Sequence, residues 1–575
     1  MKTPLAAFSS FGGRVAGSLF LFAAWLVPLH FLPWPSWHSE VVAFVAALAF
    51  LFVLHRRDPD LKPAQVPQLA LVPTAFGIAV LLQAATGLIS LRGDAVVIGL
   101  YVALCIAALI CGYAYEKPFS GGEHGQNRNH GDLLKALAWT LFLGAVASSA
   151  VALVQVFDLW GNVGWVTRAE RLRRPGGNLG QPNHLGTLVL MGTASLLYLR
   201  ECGKLSGAAS ISSFFLLALG LSATESRTGL IGLTLLSIWA LIGIGRSELR
   251  TSRVKLAIGA AAASALFFAW PALMSSIDMF EEGAVVDAKP GLRLVVWPQL
   301  LEASLMKPWF GWGVRQVSEA HNAVASAYPT GEPYTYAHNL VIELALGVGW
   351  PLTLLFVGAS SVWLWRRLRA ARTPATWYCV AAVLPVAVHS GLEFPYAYAY
   401  FLLPTMLLLG VLERLSGGLP IKRLPARALA LPLLVAIALG AWTVVEYLDI
   451  EEDFRVARFE ASKIGNRPAG YEMPRVQLLT QLDVLLNGAR IVPRQGMSDA
   501  EIELARQAAL RYPWPATQNR YALSLALNGS RSEALRQLQV MKTLHGRKKY
   551  EEIRASWDAL AAERYPSLAD LAGRP

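Results

Sequence analysis

Ala95-Val-Val-Ile-Gly-Leu-Tyr-Val-Ala-Leu-Cys-Ile-Ala-Ala-Leu-Ile-Cys-Gly-Tyr-Ala-Tyr115 is a run of sequence without a single charged residue. An apolar run of about 20 residues is long enough for a helix to cross the roughly 30 Å of hydrocarbon in a bilayer. Runs of similar length recur through the first 447 residues. The sequence therefore predicts an all-α, polytopic membrane helix bundle.

The composition of the whole chain agrees with this fold class. Of its 575 residues, 54% are hydrophobic and only 16% are charged, and the mean hydropathy is +0.42. These values argue against a string of soluble domains. The cysteines lie in or beside apolar runs without metal-ligand or disulfide spacing, which indicates core packing. They are Cys105, Cys111, Cys202 and Cys379.

About 13 membrane spans are predicted from the apolar runs. The stretch from Val15 to Pro33 is long and no small-residue cleavage site follows it, so it is interpreted as a first span and not as a signal peptide. The predicted spans are 15–33, 39–54, 68–90, 95–115, 133–157, 184–200, 207–222, 228–245, 254–272, 338–364, 377–393, 397–413 and 427–447.

The distribution of basic residues predicts the orientation of these spans. With the N-terminus inside, the inside loops and their edges carry 22 Lys and Arg residues and the outside loops carry 10. The positive-inside rule selects this orientation. The net charge of +12 is thus explained by topology, and because the basic residues form no single patch, nucleic-acid binding is not expected. An odd number of spans puts the C-terminal tail outside.

Two domains follow from this topology. Residues 1–447 are predicted to form a transmembrane domain with a large outside loop at 273–337. Residues 448–575 are predicted to form a C-terminal helical domain on the same outer side. Within it, the segment from Ala508 to Leu538 resembles a single tetratricopeptide unit, which is too little for a solenoid. This domain is interpreted either as a docking surface for an acceptor protein or as a stabilising lid.

The basic residues on the outer side call for a reason, because positive charge opposes translocation. Arginine binds phosphate through two parallel charge-assisted hydrogen bonds, so binding of a multiply charged anion at the outer face would explain these basic residues. Snorkelling, or pairing with acidic residues such as Glu170, is the structural alternative. The residues concerned are Arg168, Arg171, Arg173 and Arg174 in one short loop, Lys289, Arg293, Lys307 and Arg315 in the loop 273–337, and Arg227 in a tight turn.

Two motifs lie at predicted helix starts. Arg174-Pro-Gly-Gly-Asn-Leu-Gly-Gln-Pro-Asn-His184 leads into the sixth span and presents Gln181, Asn183 and His184 there. Asn183 is predicted to be the N-cap, and a helix N-terminus favours an anion. The second motif, Thr224-Glu-Ser-Arg-Thr-Gly229, is a charged turn between two apolar spans. In such a turn, a structural Glu–Arg pair is the alternative to a role for Arg227.

A third motif fills the long outside loop. It runs through a predicted helical stretch, Gly291-Leu-Arg-Leu-Val-Val-Trp297, and through Lys307-Pro-Trp-Phe-Gly-Trp-Gly313, and it ends at Tyr334-Thr-Tyr-Ala-His-Asn-Leu340. His338 in the last segment stands at a predicted helix start. An imidazole with a pKa near 6.5 can accept a proton at physiological pH. His338 is therefore a candidate general base, with a structural interfacial histidine as the alternative.

The fourth motif is His389-Ser-Gly-Leu-Glu-Phe-Pro-Tyr396 at the outer end of the eleventh span. Its spacing predicts that His389 and Glu393 share one helix face, and ionisable residues at membrane depth suggest function. A mutual, purely structural hydrogen bond is the alternative. All four motifs fall on the same predicted side of the membrane, which favours a single composite site.

These motifs resemble the O-antigen ligase and polymerase superfamily of membrane enzymes. The resemblance rests on Arg293-x-x-x-Trp297, Pro308-Trp-Phe-Gly-Trp-Gly313 and His338-Asn339. Gly180-Gln-Pro-Asn-His-Leu185 and the fourth motif resemble its O-oligosaccharyltransferase branch, the pilin-glycosylating ligases of bacteria. The similar region covers residues 165–415.

The resemblance implies a glycosyltransferase in the bacterial inner membrane with its active site facing the periplasm. Its donor would be an oligosaccharide on undecaprenyl pyrophosphate, its acceptor a Ser or Thr hydroxyl of a pilin or other exported protein, and it would need no cofactor or metal. His338 would activate the acceptor. The predicted pyrophosphate- or glycan-binding residues are Arg174, Gln181, Asn183, His184, Arg227, Arg293, Arg315, His389, Glu393 and Tyr396.

Other functions stay open at the level of the sequence. An O-antigen ligase that transfers glycan to lipid A core, or a repeat-unit polymerase, would share these motifs. A flippase for lipid-linked glycan would predict charged residues along several mid-membrane helices and usually inverted repeats, and neither is present in the sequence. A scaffold protein would not need four polar motifs on one side.

Overall fold

The computed structural model describes residues 4–56, 64–115, 132–159, 164–167, 173–281, 291–464 and 470–572, and it is dominated by α-helices. The helices in chain order are α1 (Pro4–Ala24), α2 (Trp37–Arg56), α3 (Leu71–Ala85), α4 (Arg92–Tyr115), α5 (Asp132–Val156), α6 (Pro182–Glu201), α7 (Gly207–Ala223), α8 (Arg227–Arg246), α9 (Arg253–Ser275), α10 (Arg293–Met306), α11 (Val317–Ala325), α12 (Leu340–Val348), α13 (Trp350–Ala370), α14 (Pro374–Ser390), α15 (Ala399–Leu415), α16 (Ala426–Ala461), α17 (Thr480–Arg490), α18 (Asp499–Arg511), α19 (Pro515–Leu527), α20 (Arg531–Glu563) and α21 (Ala569–Ala572). Two three-residue strands, β1 (Ala64–Val66) and β2 (Lys422–Leu424), pair antiparallel with Ala64 opposite Leu424.

The chain divides into two compact units. The first unit comprises Met1–Ala75, Tyr101–Lys289 and Gly358–Ala436. The second unit comprises Phe76–Leu100, Pro290–Val357 and Ile437–Pro575.

The predicted membrane-type, all-α fold is confirmed. Each predicted span overlaps a helix, and within the described residues six helical segments are long and apolar enough to cross a bilayer. The exact number of thirteen spans stays a prediction. The six segments are Gln68–Ala85, Arg92–Ala114, Leu133–Val156, Arg227–Arg246, Arg253–Ser275 and Ala428–Glu460, and shorter apolar helices cover Gly13–Ala24, Trp37–Leu51 and Gly207–Ala223.

The predicted bounds of the first and last spans are wrong. The first helix ends at Ala24, and the segment that was predicted to continue to Pro33 is not helical. Pro28 and Pro33 account for this, because proline removes a backbone donor and disfavours helix in the residue before it. The last predicted span, 427–447, belongs to α16, which continues to Ala461.

The tenth predicted span, 338–364, is divided into α12 and α13 by Gly349. This glycine has a φ of +79°, and a Cβ at its position would lie 2.4 Å from the carbonyl oxygen of Trp309. The close approach of the Trp309 backbone therefore requires glycine, and the left-handed conformation ends α12. Because α12 begins at Leu340, His338 lies in the loop before this helix and not within a span.

The long outside loop contains two helices. The predicted helical stretch at 291–297 is confirmed as the start of α10, whereas α11 was not predicted. Several basic residues that entered the charge count, together with Glu170, lie outside the described residues. They are Lys2, Arg57, Lys62, Lys117, Arg128, Arg168, Arg171 and Lys289.

The core of the first unit is built around α6, most of whose side chains are buried. This helix packs against α5, α7, α8 and α14. The rings of Tyr198 and Tyr378 stack with centroids 4.4 Å apart, and Ser195 Oγ lies 2.9 Å from the Tyr378 hydroxyl oxygen. A helix buried on nearly every side has a fixed position, so the polar residues in its first turn are fixed as well.

The second unit has an apolar core formed by α10, α11 and α12, with Val296, Leu300 and Leu346 fully buried. Its C-terminal helices form a separate cluster in which α18, α19 and α20 pack in succession around Trp557. The prediction that the C-terminal segment is helical agrees with this arrangement. The proposed boundary at residue 448 stays a prediction.

Candidate active site

The residues predicted to form one site divide between the two units. Eight of them lie in the first unit, namely Arg174, Gln181, Asn183, His184, Arg227, His389, Glu393 and Tyr396. Three lie in the second unit, namely Arg293, Arg315 and His338.

The loop that leads into α6 is held by side chains from other parts of the first unit. The amide group of Gln155 on α5 donates to the carbonyl of Gly177 over 3.1 Å and accepts from its N–H over 2.9 Å. The amide nitrogen of Asn178 donates to the carbonyls of Leu26 and Trp165 at 2.8 and 2.7 Å. These bonds satisfy backbone groups of a non-helical segment and fix the start of α6.

The two described arginines of this loop have defined partners. Arg173 donates two parallel hydrogen bonds of 2.9 Å to the carboxylate of Glu225, whose side chain is almost fully buried. Arg174 is exposed, and its Nε donates to the carbonyl of Thr224 over 3.0 Å. The structural alternative, pairing with an acidic residue, therefore holds for Arg173 through Glu225, and Glu170 lies outside the described residues. Both arginines connect the loop to the turn before α8.

Asn183 connects three segments of the first unit. Its Nδ2 donates to Glu393 Oε1 over 3.0 Å, and its Oδ1 accepts from the hydroxyl of Ser226 over 2.7 Å. The prediction that Asn183 caps α6 is wrong, because Pro182 starts this helix and Gln181 is the N-cap residue. Both polar atoms of the Asn183 amide therefore make tertiary contacts. The buried Oε1 of Gln181 has no hydrogen-bond partner among the described residues.

His184 and His389 lie together in the interior of the first unit. Both are buried, and their ring centroids are 5.6 Å apart. The Nδ1 of His184 lies 3.1 Å from the Tyr400 hydroxyl, and the Nδ1 of His389 lies 2.8 Å from the hydroxyl of Thr187. Two histidines from separate motifs are therefore brought into one polar cluster, as the hypothesis of a shared site requires.

The prediction that His389 and Glu393 share a helix face is wrong. Helix α14 ends at Ser390, and Glu393 follows in a turn in which its N–H donates to the His389 carbonyl over 2.7 Å. The turn directs the Glu393 carboxylate to Asn183, whereas the His389 ring contacts Thr187. Helix spacing could not reveal this, because α14 ends one residue after His389 and does not reach Glu393.

Arg227 and Tyr396 complete the predicted residues of the first unit. Arg227 is the first residue of α8, is half-buried, and makes no hydrogen bond or ion pair with any described residue. The N-terminus of a helix carries a partial positive charge, which adds to that of the guanidinium. Arg227 is thus a cation whose charge no described carboxylate compensates.

Tyr396 is half-buried in a short 3₁₀ turn at Pro395–Ala397.

In the second unit, His338 occupies a tightly held loop. Its φ is +53°, a conformation uncommon for residues other than glycine. The preceding residue is fixed on both sides, since the Ala337 N–H donates to Glu343 over 2.7 Å and its carbonyl accepts from Trp297 Nε1 over 3.0 Å. The following Asn339 caps α12 by accepting from the N–H groups of its first turn. Strained backbone held in this way is typical of functional sites.

His338 and Arg293 influence each other electrostatically. Burial, and in second place the positive charge of Arg293, lower the pKa of His338 from 6.5 to about 4. The side chain is therefore neutral at physiological pH, which is the form a general base requires. Burial also lowers the pKa of His321 to about 4, and its Nδ1 accepts from the Tyr334 N–H over 3.3 Å.

Arg315 also has a positive φ, of +69°, and lies among charged and aromatic groups of the second unit. Its guanidinium carbon is 4.5 Å from the ring centroid of Tyr336, and its Nε is 3.8 Å from Asp94 Oδ1. Burial lowers the pKa of Arg315, but Tyr336 and Asp94 outweigh this effect and raise the pKa above its ordinary value. Arg315 is therefore a permanent cation.

Sequence analysis missed several residues that organise these groups. Glu343 fixes the backbone before His338, Thr187 pairs with His389, and Asp94 pairs with arginines of distant segments. Only Glu343 had a local signal, since it follows His338 by little more than one helical turn. Among the described residues, no cluster of three or more His, Cys, Asp or Glu side chains has a geometry that could hold a metal ion.

Three protein families match parts of the chain. The family described as O-Antigen ligase matches residues 212–357, and the family described as Protein glycosylation ligase matches residues 175–199. The family described as Virulence factor membrane-bound polymerase, C-terminal, matches residues 377–559. The three matches together include all of the predicted motif regions except Arg174.

Two proteins of Acinetobacter baylyi are similar to the chain. The General O-oligosaccharyltransferase is 25% identical over 536 residues, which cover 91% of this chain and 90% of its own length. The ComP-specific O-oligosaccharyltransferase is 28% identical over 294 residues, which cover 50% of this chain and 53% of its own length.

The apolar helices, the polar loops and these similarities define the class of the protein, which is a membrane glycosyltransferase. The chain is similar to O-oligosaccharyltransferases and matches the O-Antigen ligase and Protein glycosylation ligase families over these segments, as the motif resemblance predicted.

Proposed function

We propose that this enzyme transfers an oligosaccharide from undecaprenyl pyrophosphate to Ser or Thr hydroxyls of exported proteins such as pilins. The reaction would take place at the periplasmic face of the bacterial inner membrane. The excess of basic residues in the loops predicted to lie inside supports this orientation. The similarity to two O-oligosaccharyltransferases supports a protein acceptor.

The observation that carries the proposal is a base and a cation within electrostatic reach of each other in the second unit. His338 is held in a strained loop with a φ of +53°, and the positive charge of Arg293 acts on its imidazole. Transfer of a sugar from a pyrophosphate requires both kinds of group. The acceptor hydroxyl must lose a proton, and the departing pyrophosphate must be stabilised as its negative charge develops.

In the proposed step, the acceptor oxygen forms a bond to the anomeric carbon while the bond from that carbon to the pyrophosphate oxygen breaks. The electron pair of the broken bond leaves with undecaprenyl pyrophosphate. The acceptor proton passes to the imidazole of His338 and from there to water. In-line attack would invert the anomeric carbon. No metal or nucleotide is needed in this scheme, because protein cations provide the stabilisation.

Arg293 and Arg315 are the proposed pyrophosphate ligands of the second unit. Both are half-buried, and a guanidinium can donate two parallel hydrogen bonds to phosphate oxygens. In the first unit, Arg227 has a similar character because it combines an uncompensated charge with a helix N-terminus. Arg174 is the fourth proposed cation, although one of its nitrogens is engaged by Thr224.

The remaining polar residues of the first unit are proposed to bind the glycan or to hold its binding surface. Asn183 and Glu393 form a hydrogen-bonded pair, and the rings of His184 and His389 lie edge to face beside each other. Hydroxyl-rich sugars are recognised by such amide, carboxylate and imidazole groups. Gln181 and Tyr396 are assigned to the same surface, where the buried Oε1 of Gln181 lacks a described partner.

The acceptor is best tested in cells that lack their own ligase. The full chain is co-expressed with a lipid-linked glycan pathway and a candidate pilin, and both pilin and lipid A are analysed by mass spectrometry. Glycan on the pilin is expected. Glycan on lipid A alone would contradict the proposal and would favour the O-antigen ligase activity that the match at residues 212–357 also suggests.

A further inference from the structure

One carboxylate in the second unit is shared by two arginines. Arg511, the last residue of α18, donates from Nε and Nη2 to the two oxygens of Asp94 over 3.0 and 2.7 Å. Only 11% of the Arg511 side chain and 6% of the Asp94 side chain are exposed. Short bidentate pairing of this kind is the strongest arrangement available to an arginine and a carboxylate.

Arg315 approaches the same carboxylate much less closely. Its Nε is 3.8 Å from Asp94 Oδ1, which is beyond hydrogen-bond distance, and its guanidinium lies over the ring of Tyr336. Two guanidinium groups thus share one carboxylate, and Arg511 holds the closer, hydrogen-bonded position on both of its oxygens.

The other acidic groups nearby are engaged elsewhere. Glu343 contributes to the high pKa of Arg315, but its carboxylate accepts from the backbone N–H of Ala337. Glu319 lines the same small cleft together with Arg506, and the two attract each other. Among the described residues, neither carboxylate accepts a hydrogen bond from Arg315, so Asp94 is the carboxylate that can close on it.

We propose that Arg511 is a positioning residue that keeps Arg315 available for the pyrophosphate of the donor. By engaging Asp94, it prevents this carboxylate from forming a close ion pair with Arg315 and cancelling its charge. This inference rests on the proposed function of Arg315 as a pyrophosphate ligand. It gives α18, and with it the C-terminal helical segment, a role in donor binding.

Removal of Arg511 leads to a specific expectation. In R511Q the Asp94 carboxylate loses its bidentate partner and remains buried, and an unpaired buried carboxylate attracts the nearest cation. That cation is Arg315. Donor affinity should then fall because Arg315 is drawn to Asp94, and a second change, D94N, should restore it because an amide carries no charge to hold Arg315.

The test uses the full-length protein in nanodiscs, with undecaprenyl pyrophosphate as the probe for binding and the glycan-bearing donor for kinetics. R511Q should weaken binding of the probe and raise the donor KM by about tenfold, which is the loss of one charge-assisted contact, with kcat nearly unchanged. R511Q/D94N should return both values to within about threefold of the wild type. A purely structural role for the Asp94–Arg511 pair predicts a lower unfolding temperature in R511Q that D94N reverses, with probe affinity and donor KM unchanged in the folded variants.

Two results would overturn the inference. One is an unchanged probe affinity in folded R511Q, and the other is a double variant that binds no better than R511Q. If R511Q does not fold, R511K with and without D94N carries the same comparison, since lysine keeps the charge but cannot pair through two nitrogens. Failure of the wild type to glycosylate protein, with binding and rescue as expected, would refute only the proposed acceptor. Failure of the wild type to bind undecaprenyl pyrophosphate would refute both proposals.

Discussion

Asn183 and Glu393 lie 210 positions apart in the chain, and a hydrogen bond of 3.0 Å joins the amide Nδ2 to the carboxylate Oε1. The same amide accepts from Ser226. One side chain in the first turn of α6 thereby connects the turn before α8 with the turn after α14. Two motifs that are separate in the sequence depend on each other through this bond.

The connection predicts the effect of N183A. The variant leaves the buried Glu393 carboxylate without this donor and the Ser226 hydroxyl without its acceptor, which should cost about 2 to 3 kcal/mol of unfolding free energy. Thermal unfolding in detergent should show a midpoint several degrees lower, together with reduced transfer. N487A is the matched control, because Asn487 bonds Asp483 within one helix over 2.8 Å. Equal effects of the two variants would argue against the connecting role.

Arg173 and Arg227 should respond differently to the same change. Arg173 is paired with Glu225, whereas Arg227 makes no ion pair with a described residue. R227Q should therefore raise the donor KM by about tenfold or more through loss of a phosphate contact. R173Q should leave the donor KM within about twofold and act mainly on stability, since it leaves Glu225 buried without its partner. The reverse order of KM values would contradict the assignment of Arg227.

The pKa of His338 predicts an unusual acid limit of activity. Because burial and Arg293 lower this pKa to about 4, the imidazole stays deprotonated as the pH falls from 7 to 5. The value of kcat/KM, whose pH dependence reports the pKa values of the free enzyme, should decline only near pH 4 to 5. R293Q removes the positive charge, so the pKa of His338 should rise and the decline in kcat/KM should begin at a higher pH. A wild-type limb at pH 6.5 would contradict the lowered pKa.

Gly349 offers a test of the backbone geometry beside the motif Trp309-Phe-Gly-Trp312. A Cβ at Gly349 would collide with the Trp309 carbonyl, and φ is +79° there. G349A should destabilise the protein by about 2 kcal/mol or more. Gly358 in α13 has open space around its Cβ position, so G358A should be neutral or stabilising by up to about 1 kcal/mol. Similar unfolding midpoints for both variants would contradict the described packing.

The helices could be predicted from the sequence because length and hydrophobicity are local properties. The runs that became α4, α5, α8 and α9 were located to within a few residues. The break at Gly349 was missed, since its cause is a close approach of the Trp309 backbone, which no local pattern reports. The end of α14 before Glu393 was also missed, although Gly391 and Pro395 are local signals for a helix end.

The candidate site was predictable as a set of residue types but not as a set of contacts. Glycine, proline and polar residues at helix starts marked the loops around His184 and His338. Their partners come from remote positions, and Arg511 and Asp94 are 417 residues apart. Such pairs follow from tertiary packing, so the interpretation of Arg173 and the importance of Asp94 required the structure.

The central claim is that His338 activates the acceptor hydroxyl. The most direct measurement is the rate of glycan transfer to a purified acceptor protein by the variant H338N, since asparagine tolerates the positive φ of this position but cannot act as a base. H545A serves as the control, because partial burial also lowers the pKa of His545 to about 4, but its ring bonds Gln518 in the C-terminal helices. We predict that H338N unfolds at the wild-type temperature and loses at least about 100-fold in kcat, whereas H545A retains activity. Wild-type transfer by folded H338N would contradict the account.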